Sequence, residues 1–152
     1  MHQKKLSGLL PLILIGLPRS GKTTLGEKFA CETGLPFYDT DRLLEKMRGQ
    51  KRRAIYLELG ERGFRREELK VLKTIPWHAP CVVSLGGGTL DYSPSLRWLV
   101  DKGIFLYIRW ETESWKKHVL KRRLLHDPDE ILRRRLPVFE QLAHYTVNHG
   151  LK

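Results

Sequence analysis

Cysteine, acidic side chains and long apolar runs are all scarce in this chain, and each scarcity removes a class of protein. Only two cysteines occur in 152 residues, Cys31 and Cys81. Neither belongs to a C-x-x-C pair or a Cys/His cluster, so no zinc framework is expected. Both lie in apolar contexts, which predicts buried free thiols in a reducing compartment; the sequence leaves a bond between them open. The longest apolar stretch, residues 9–17, falls far short of the roughly 20 residues that a membrane-spanning helix needs. Lys4 and Lys5 precede it in the manner of a secretory leader, but no small-residue cleavage site follows. A buried strand in a cytoplasmic protein, with no membrane partner, is expected. No internal repeat or low-complexity tract marks a linker, so residues 1–152 read as a single domain.

Asp and Glu number 17 against 28 Lys and Arg, a net charge of +11 with a pI near 9.9. At 41% hydrophobic and 30% charged residues, the chain has a globular composition rather than that of a disordered tail. The excess charge points to anionic partners: nucleotides, acidic metabolites or nucleic acid.

Residues 9–15 are apolar throughout, as in a central parallel strand covered on both faces. A helix is expected from Thr23 to Thr33, stopped by Gly34. Pro36-Phe37-Tyr38 predicts a short second strand, closed by Asp39-Thr40-Asp41, with Asp41 placed to cap a helix from Arg42 to about Met47. Residues 52–74 predict a helix with a break near Gly60 to Gly63. Further along, residues 81–85 and 104–108 predict strands. Residues 94–102 predict a helix, 112–125 a very basic helix, and 129–145 a helix broken at Pro137. Tyr145-Thr146-Val147 predicts a short fifth strand, with nothing left for a closing helix. Strands alternating with helices predict an α/β fold, a five-stranded parallel sheet with helices on both faces.

Gly16-Leu17-Pro18-Arg19-Ser20-Gly21-Lys22-Thr23 matches the phosphate-loop pattern G-x-x-x-x-G-K-[ST]. Glycines let the backbone turn so that successive N–H groups converge on one phosphate, and the helix that follows points its positive end there. Lys22 is expected to reach the β- and γ-phosphates, and the Thr23 hydroxyl to ligate Mg²⁺. Ser20, Gly21 and Thr24 complete the expected ATP-binding set, with Arg19 adding a charge beside the phosphates or facing solvent. A random chain of this length would match the pattern about once in 200 at ordinary residue usage. Here the match also stands between an apolar strand and a helix, the context the chemistry requires. A P-loop NTPase-type sandwich is the expected fold, with Mg²⁺ and ATP as the expected cofactor and co-substrate.

Five further segments follow in order: Gly34 to Asp41; Gly60-Glu61-Arg62-Gly63-Phe64-Arg65-Arg66-Glu67-Glu68; Ser84-Leu85-Gly86-Gly87-Gly88; Arg122-Arg123-Leu124-Leu125; and Arg135-Leu136-Pro137-Val138-Phe139. Together with the phosphate loop they resemble the shikimate kinase family across residues 9 to about 147. The resemblance implies a kinase that moves the ATP γ-phosphoryl group to the 3-hydroxyl of shikimate. Asp41 would orient the acceptor hydroxyl or take its proton; taken alone, Asp41 would pass for a helix cap. Asp39 would join the Mg²⁺ shell through water. Arg65 and Arg135 would clamp the shikimate carboxylate, with Glu68 holding Arg65; taken alone, each is a solvated arginine. Gly86, Gly87 and Gly88 would let the backbone approach the substrate, and Arg122 would swing in as a lid arginine. Arg123 stands where the family's lid has proline.

None of His2, His78, His118, His126, His144 and His149 shows ligand spacing, and Trp77, Trp98, Trp110 and Trp115 read as packing residues. Two other readings compete. A related small-metabolite kinase, such as a gluconate kinase, would share the phosphate loop but lack F-R-x-x-E and the glycine triplet. A basic nucleic-acid-binding module would draw on the excess charge and the helix from Lys116 to Arg123. Nucleic acid is not the expected partner; ATP and shikimate are, and a monomer is expected.

Overall fold

A computed structural model of the chain describes residues 10–125 and 127–149. The strands are β1 (Leu12–Ile15), β2 (Phe37–Asp39), β3 (Val82–Ser84), β4 (Ile104–Arg109) and β5 (Tyr145–Asn148). They form one sheet in the order β2-β3-β1-β4-β5, with every neighbouring pair parallel. Leu12 pairs with Val82 on one side and Ile104 on the other, so β1 lies at the centre. The helices are α1 (Lys22–Thr33), α2 (Thr40–Arg48), α3 (Arg52–Thr74), α4 (Ser93–Leu99), α5 (Thr112–Lys121) and α6 (Pro128–Leu142), with a 3₁₀ turn at Thr89–Asp91.

The apolar run in β1 is explained by burial on two sides. Side chains alternate across a strand. Leu14 packs with Val82 and with Ala30 of α1. Ile13 and Ile15 point the other way, into a larger core with Leu72 of α3, Leu99 of α4, Trp115 and Val119 of α5, and Phe139 of α6. Helices therefore cover both faces, as expected. A third, smaller cluster lies between α2 and α3, where Leu44 meets Ile55, Phe64 and Val71. That pair of helices carries Asp41 and Arg65 of the cleft region described below.

Several local expectations change. The first strand begins at Leu12, because Leu10 is exposed and Pro11 has no N–H to give a ladder. The basic helix ends at Lys121, where the backbone turns through Arg122 to a left-handed Arg123 (φ 52°). A proline cannot adopt that φ. The last helix starts at Pro128, runs through Pro137 without a break and stops at Leu142. Within α3 the break falls on Gly60, whose φ of 70° and ψ of 178° suit glycine alone. Asp39, not Asp41, caps α2: its carboxylate accepts the Arg42 N–H at 3.1 Å. Cys31 is exposed on α1, contrary to expectation, while Cys81 is buried as expected. Among the described residues no helix is long and apolar enough to cross a membrane. His2 and His126 lie outside the described residues.

Candidate active site

The phosphate loop links the C-terminal end of β1 to α1, in the crevice where the sheet's strand order reverses. One of its own residues and a distant tryptophan hold it in place. Lys22 is buried, and its ammonium donates to the carbonyls of Gly16 at 3.0 Å and Leu17 at 2.9 Å. The Trp115 indole N–H donates to the Pro18 carbonyl at 3.0 Å, so this buried tryptophan braces the loop from α5. Arg19 is left-handed (φ 67°) and exposed, one of two non-glycine residues with positive φ among those described. The other is Arg123, whose chain neighbour Arg122 lines the same cleft as Arg19. Burial, only partly offset by Asp41 and Asp39, lowers the Lys22 pKa to about 8.

The cleft beside the loop measures about 460 Å³ and gathers Arg19, Lys22, Thr23, Asp39, Asp41 and Arg122 among its walls. Ser20, Gly21 and Thr24 line it too, so the expected ATP-binding residues come together. Thr23 Oγ1 donates to Asp39 Oδ2 at 2.6 Å. This hydroxyl and carboxylate at the head of α1 form a hard oxygen pair, the donor type Mg²⁺ takes while keeping several waters. Among the described residues there is no cluster of three or more His, Cys, Asp or Glu side chains able to hold a metal by themselves.

The glycine triplet lies between this cleft and the pair Arg65 and Arg135, and each glycine faces a different neighbour. A Cβ on Gly87 would lie 2.7 Å from the Pro18 ring of the phosphate loop. One on Gly86 would lie 2.8 Å from Asp41 Oδ1, and one on Gly88 would collide with the guanidinium groups of Arg65 and Arg135. The Gly86 N–H donates to the buried Thr40 hydroxyl at 3.0 Å, which ties the triplet to the start of α2.

Arg65 and Arg135 thus converge on Gly88, although α3 and α6 carry them from well-separated parts of the chain. Both are almost fully buried, unlike the solvated arginines around them. Arg65 is bonded to Glu68 at 2.5 Å, as expected, and Glu68 in turn accepts from the Thr89 hydroxyl at 2.8 Å. Arg135 is held by Asp91 through Nε at 3.1 Å and Nη2 at 3.0 Å. Each guanidinium has a carboxylate behind it, so its remaining N–H groups stay available for an anion in front. A second cavity of about 360 Å³ opens here, lined by Glu61, Arg62, Arg65, Asp91 and Tyr92. Burial raises the pKa of Glu68 against the pull of Arg65, and raises that of Asp41 against the pull of Arg52. Asp41 Oδ1 is buried and has no hydrogen-bond partner.

Thr40, Thr89 and Asp91 escaped the reading of the sequence. Only Asp91 carries a signal, lying three residues past the triplet, and nothing local pairs it with Arg135. Another cavity, about 610 Å³, lies by Trp110, Glu111, Asn148 and His149 and holds none of the expected site residues. His149 stacks on Trp110 at 3.8 Å and its Nδ1 meets the Ser20 carbonyl at 2.8 Å, a packing role on the outer side of the loop.

Comparison with known proteins bears on this arrangement. The family model described as "Shikimate kinase" matches residues 18–152. The shikimate kinase of Chlorobium luteolum is 36% identical over 112 residues, covering 74% of this chain and 55% of that protein. The chain thus spans little more than half the length of that relative. The shikimate kinase of Clostridium botulinum strain 657 is 32% identical over 143 residues, covering 88% of this chain and 84% of that protein. Among solved structures, the shikimate kinase from Acinetobacter baumannii in complex with shikimate superposes with a TM-score of 0.86 at 27% identity. That match covers 98% of this chain and 88% of the other.

Proposed function

This chain belongs to the shikimate kinase family of ATP-dependent phosphotransferases, and from that premise we propose that it transfers the ATP γ-phosphoryl group to the 3-hydroxyl of shikimate. One observation carries the reading: the glycine triplet touches the phosphate loop, Asp41 and the Arg65–Arg135 pair with three successive residues. The phosphate loop, the Asp41 carboxylate and the two guanidiniums thereby border one short segment, which supports a hydroxy acid bound beside a nucleotide phosphate.

Phosphoryl transfer asks a protein mainly for positioning and charge stabilisation. Lys22 and the loop amides bind the β- and γ-phosphates. Arg122, exposed on the rim of the cleft, closes on the transferring group and neutralises its developing charge. Arg65 and Arg135 hold the substrate carboxylate with paired N–H bonds. Asp41 Oδ1 takes the proton of the acceptor hydroxyl as the new O–P bond forms and the bond to the ADP oxygen breaks. Its raised pKa makes it a stronger proton acceptor than an exposed aspartate. Thr23 and Asp39 would hold Mg²⁺, which when bound supplies positive charge to the β- and γ-phosphates.

The test is ADP release from Mg-ATP with shikimate, with gluconate and with no acceptor, using Lys22→Ala as control. Release that requires shikimate and vanishes in the variant is expected. Equal release with gluconate would assign the acceptor end to a different hydroxy acid. Release that ignores every acceptor would sink the reading.

A further inference from the structure

Two ring nitrogens from outside the phosphate loop reach its backbone, and each takes a carbonyl. The Trp115 indole N–H donates to the Pro18 carbonyl at 3.0 Å. His149 Nδ1 lies 2.8 Å from the Ser20 carbonyl. A carbonyl only accepts, so this nitrogen carries the proton. Pro18, Arg19, Ser20 and Gly21 all line the cleft, whereas Trp115 and His149 do not, so both carbonyls are drawn toward groups outside it. In a trans peptide the C=O and the next N–H point in opposite directions. The Pro18 carbonyl shares its peptide with the Arg19 N–H, and the Ser20 carbonyl shares its own with the Gly21 N–H. Carbonyls held outward therefore leave these two N–H groups facing the cleft.

Neither donor is loosely placed. Trp115 is fully buried in the first turn of α5, which Glu111 caps by accepting the N–H groups of Glu113 and Ser114. His149 follows β5; its backbone N–H donates to the Arg109 carbonyl at 2.7 Å and its ring stacks on Trp110 at 3.8 Å and 15°. Both donors are thus fixed by the junction of β4 with α5. Arg19 lies between the two held peptides, in a left-handed conformation (φ 67°) that costs a non-glycine residue energy.

We propose that Trp115 and His149 are positioning residues for the nucleotide: by holding the Pro18 and Ser20 carbonyls outward, they aim the Arg19 and Gly21 N–H groups at its phosphates. This deepens the reading of the loop as the ATP phosphate site and rests on it. A peptide free to turn presents its carbonyl oxygen to the anion part of the time, and binding then costs the reorientation. Two ring donors remove that cost in advance.

His149→Phe keeps a ring against Trp110 and removes the donor; His149→Asn supplies an amide N–H in its place. Trp115→Phe keeps an apolar ring in the core and removes the indole N–H. Titration calorimetry on the full chain measures binding of ADP and of tripolyphosphate, an anion with no base to stack; circular dichroism checks folding. His149→Phe should weaken both ligands about tenfold, and His149→Asn should recover both to within about threefold of the unaltered chain. Trp115→Phe should weaken both about tenfold. The shikimate KM should stay within about twofold throughout. His149 is exposed, so its two variants decide the question even where Trp115→Phe does not fold. Weakened ADP binding with tripolyphosphate unchanged would make the His149 ring a stacking partner for the base and overturn the proposal. Equal losses in His149→Phe and His149→Asn would overturn it too. If the unaltered chain binds neither ligand, the reading of the loop as a phosphate site falls, and this inference with it; binding that the variants leave intact sinks the inference alone.

Discussion

The nucleotide end and the acceptor end of the cleft are built in opposite ways. The proposed nucleotide end comes mostly from one contiguous stretch, Gly16 to Thr24, joined by Asp39 and Arg122, and in this reading works through backbone amides and a helix terminus. The acceptor end brings together Asp41, Arg65, Glu68, Gly88, Asp91 and Arg135 from distant points of the chain, and buries most of their charge. A local motif makes its contacts as soon as the turn forms. A dispersed site of buried ions stands only if the whole fold does, because each charge depends on a partner brought from elsewhere. Damage should therefore stay functional at the nucleotide end and reach stability at the acceptor end.

Lys22→Ala offers the largest expected contrast. Turnover should fall by about 10³-fold or more. Stability in urea should change by less than about 1 kcal/mol, since no paired charge is stranded. Arg65→Ala should do the reverse in stability. It leaves Glu68, 2% exposed, without its ion-pair partner, at a cost of about 3 kcal/mol. It should also raise the shikimate KM about 100-fold while the ATP KM stays nearly constant. Equal effects on both KM values would dissolve the distinction between the two ends.

Two neighbouring glycines sharpen the contrast at finer scale. Gly87→Ala sets a methyl 2.7 Å from the rigid Pro18 ring and should raise the ATP KM about tenfold. Gly88→Ala sets one against the flexible tips of Arg65 and Arg135 and should raise the shikimate KM by about as much. The two variants should not exchange effects. The smallest effect concerns pH. A lysine with its pKa lowered to about 8 loses its charge as pH rises through that value, so ATP affinity should decline several-fold between pH 7 and 9. Lys22→Arg should bind more weakly but flatten that decline, as titration calorimetry would show.

The legibility of each part follows the same division. The P-loop and β1 were readable because a strand, a turn and a helix start sit within about a dozen residues and obey local rules. The helix breaks were read less well. Gly60 broke α3 as its conformational freedom allows, whereas Pro137 did not break α6, where packing of Leu132 and Phe139 into the core holds the helix on both sides. Capping by Asp39 in place of Asp41 turned on which residue bends out of the strand, a matter of backbone angles rather than residue type. That exchange matters, because it frees the Asp41 carboxylate for the cleft.

By itself the sequence determined the α/β class and the place of the phosphate-loop motif, both of which rest on short-range spacing that a linear chain records directly; the acceptor clamp was implied only by the resemblance to a family. Only the tertiary structure decided that Asp91 braces Arg135, that Thr40 and Thr89 tie down Gly86 and Glu68, that Arg52 faces Asp41, and that Cys31 lies in the open. These partners are separated by tens of residues or depend on which way a helix face turns, and only the packed sheet with its covering helices brings them into contact.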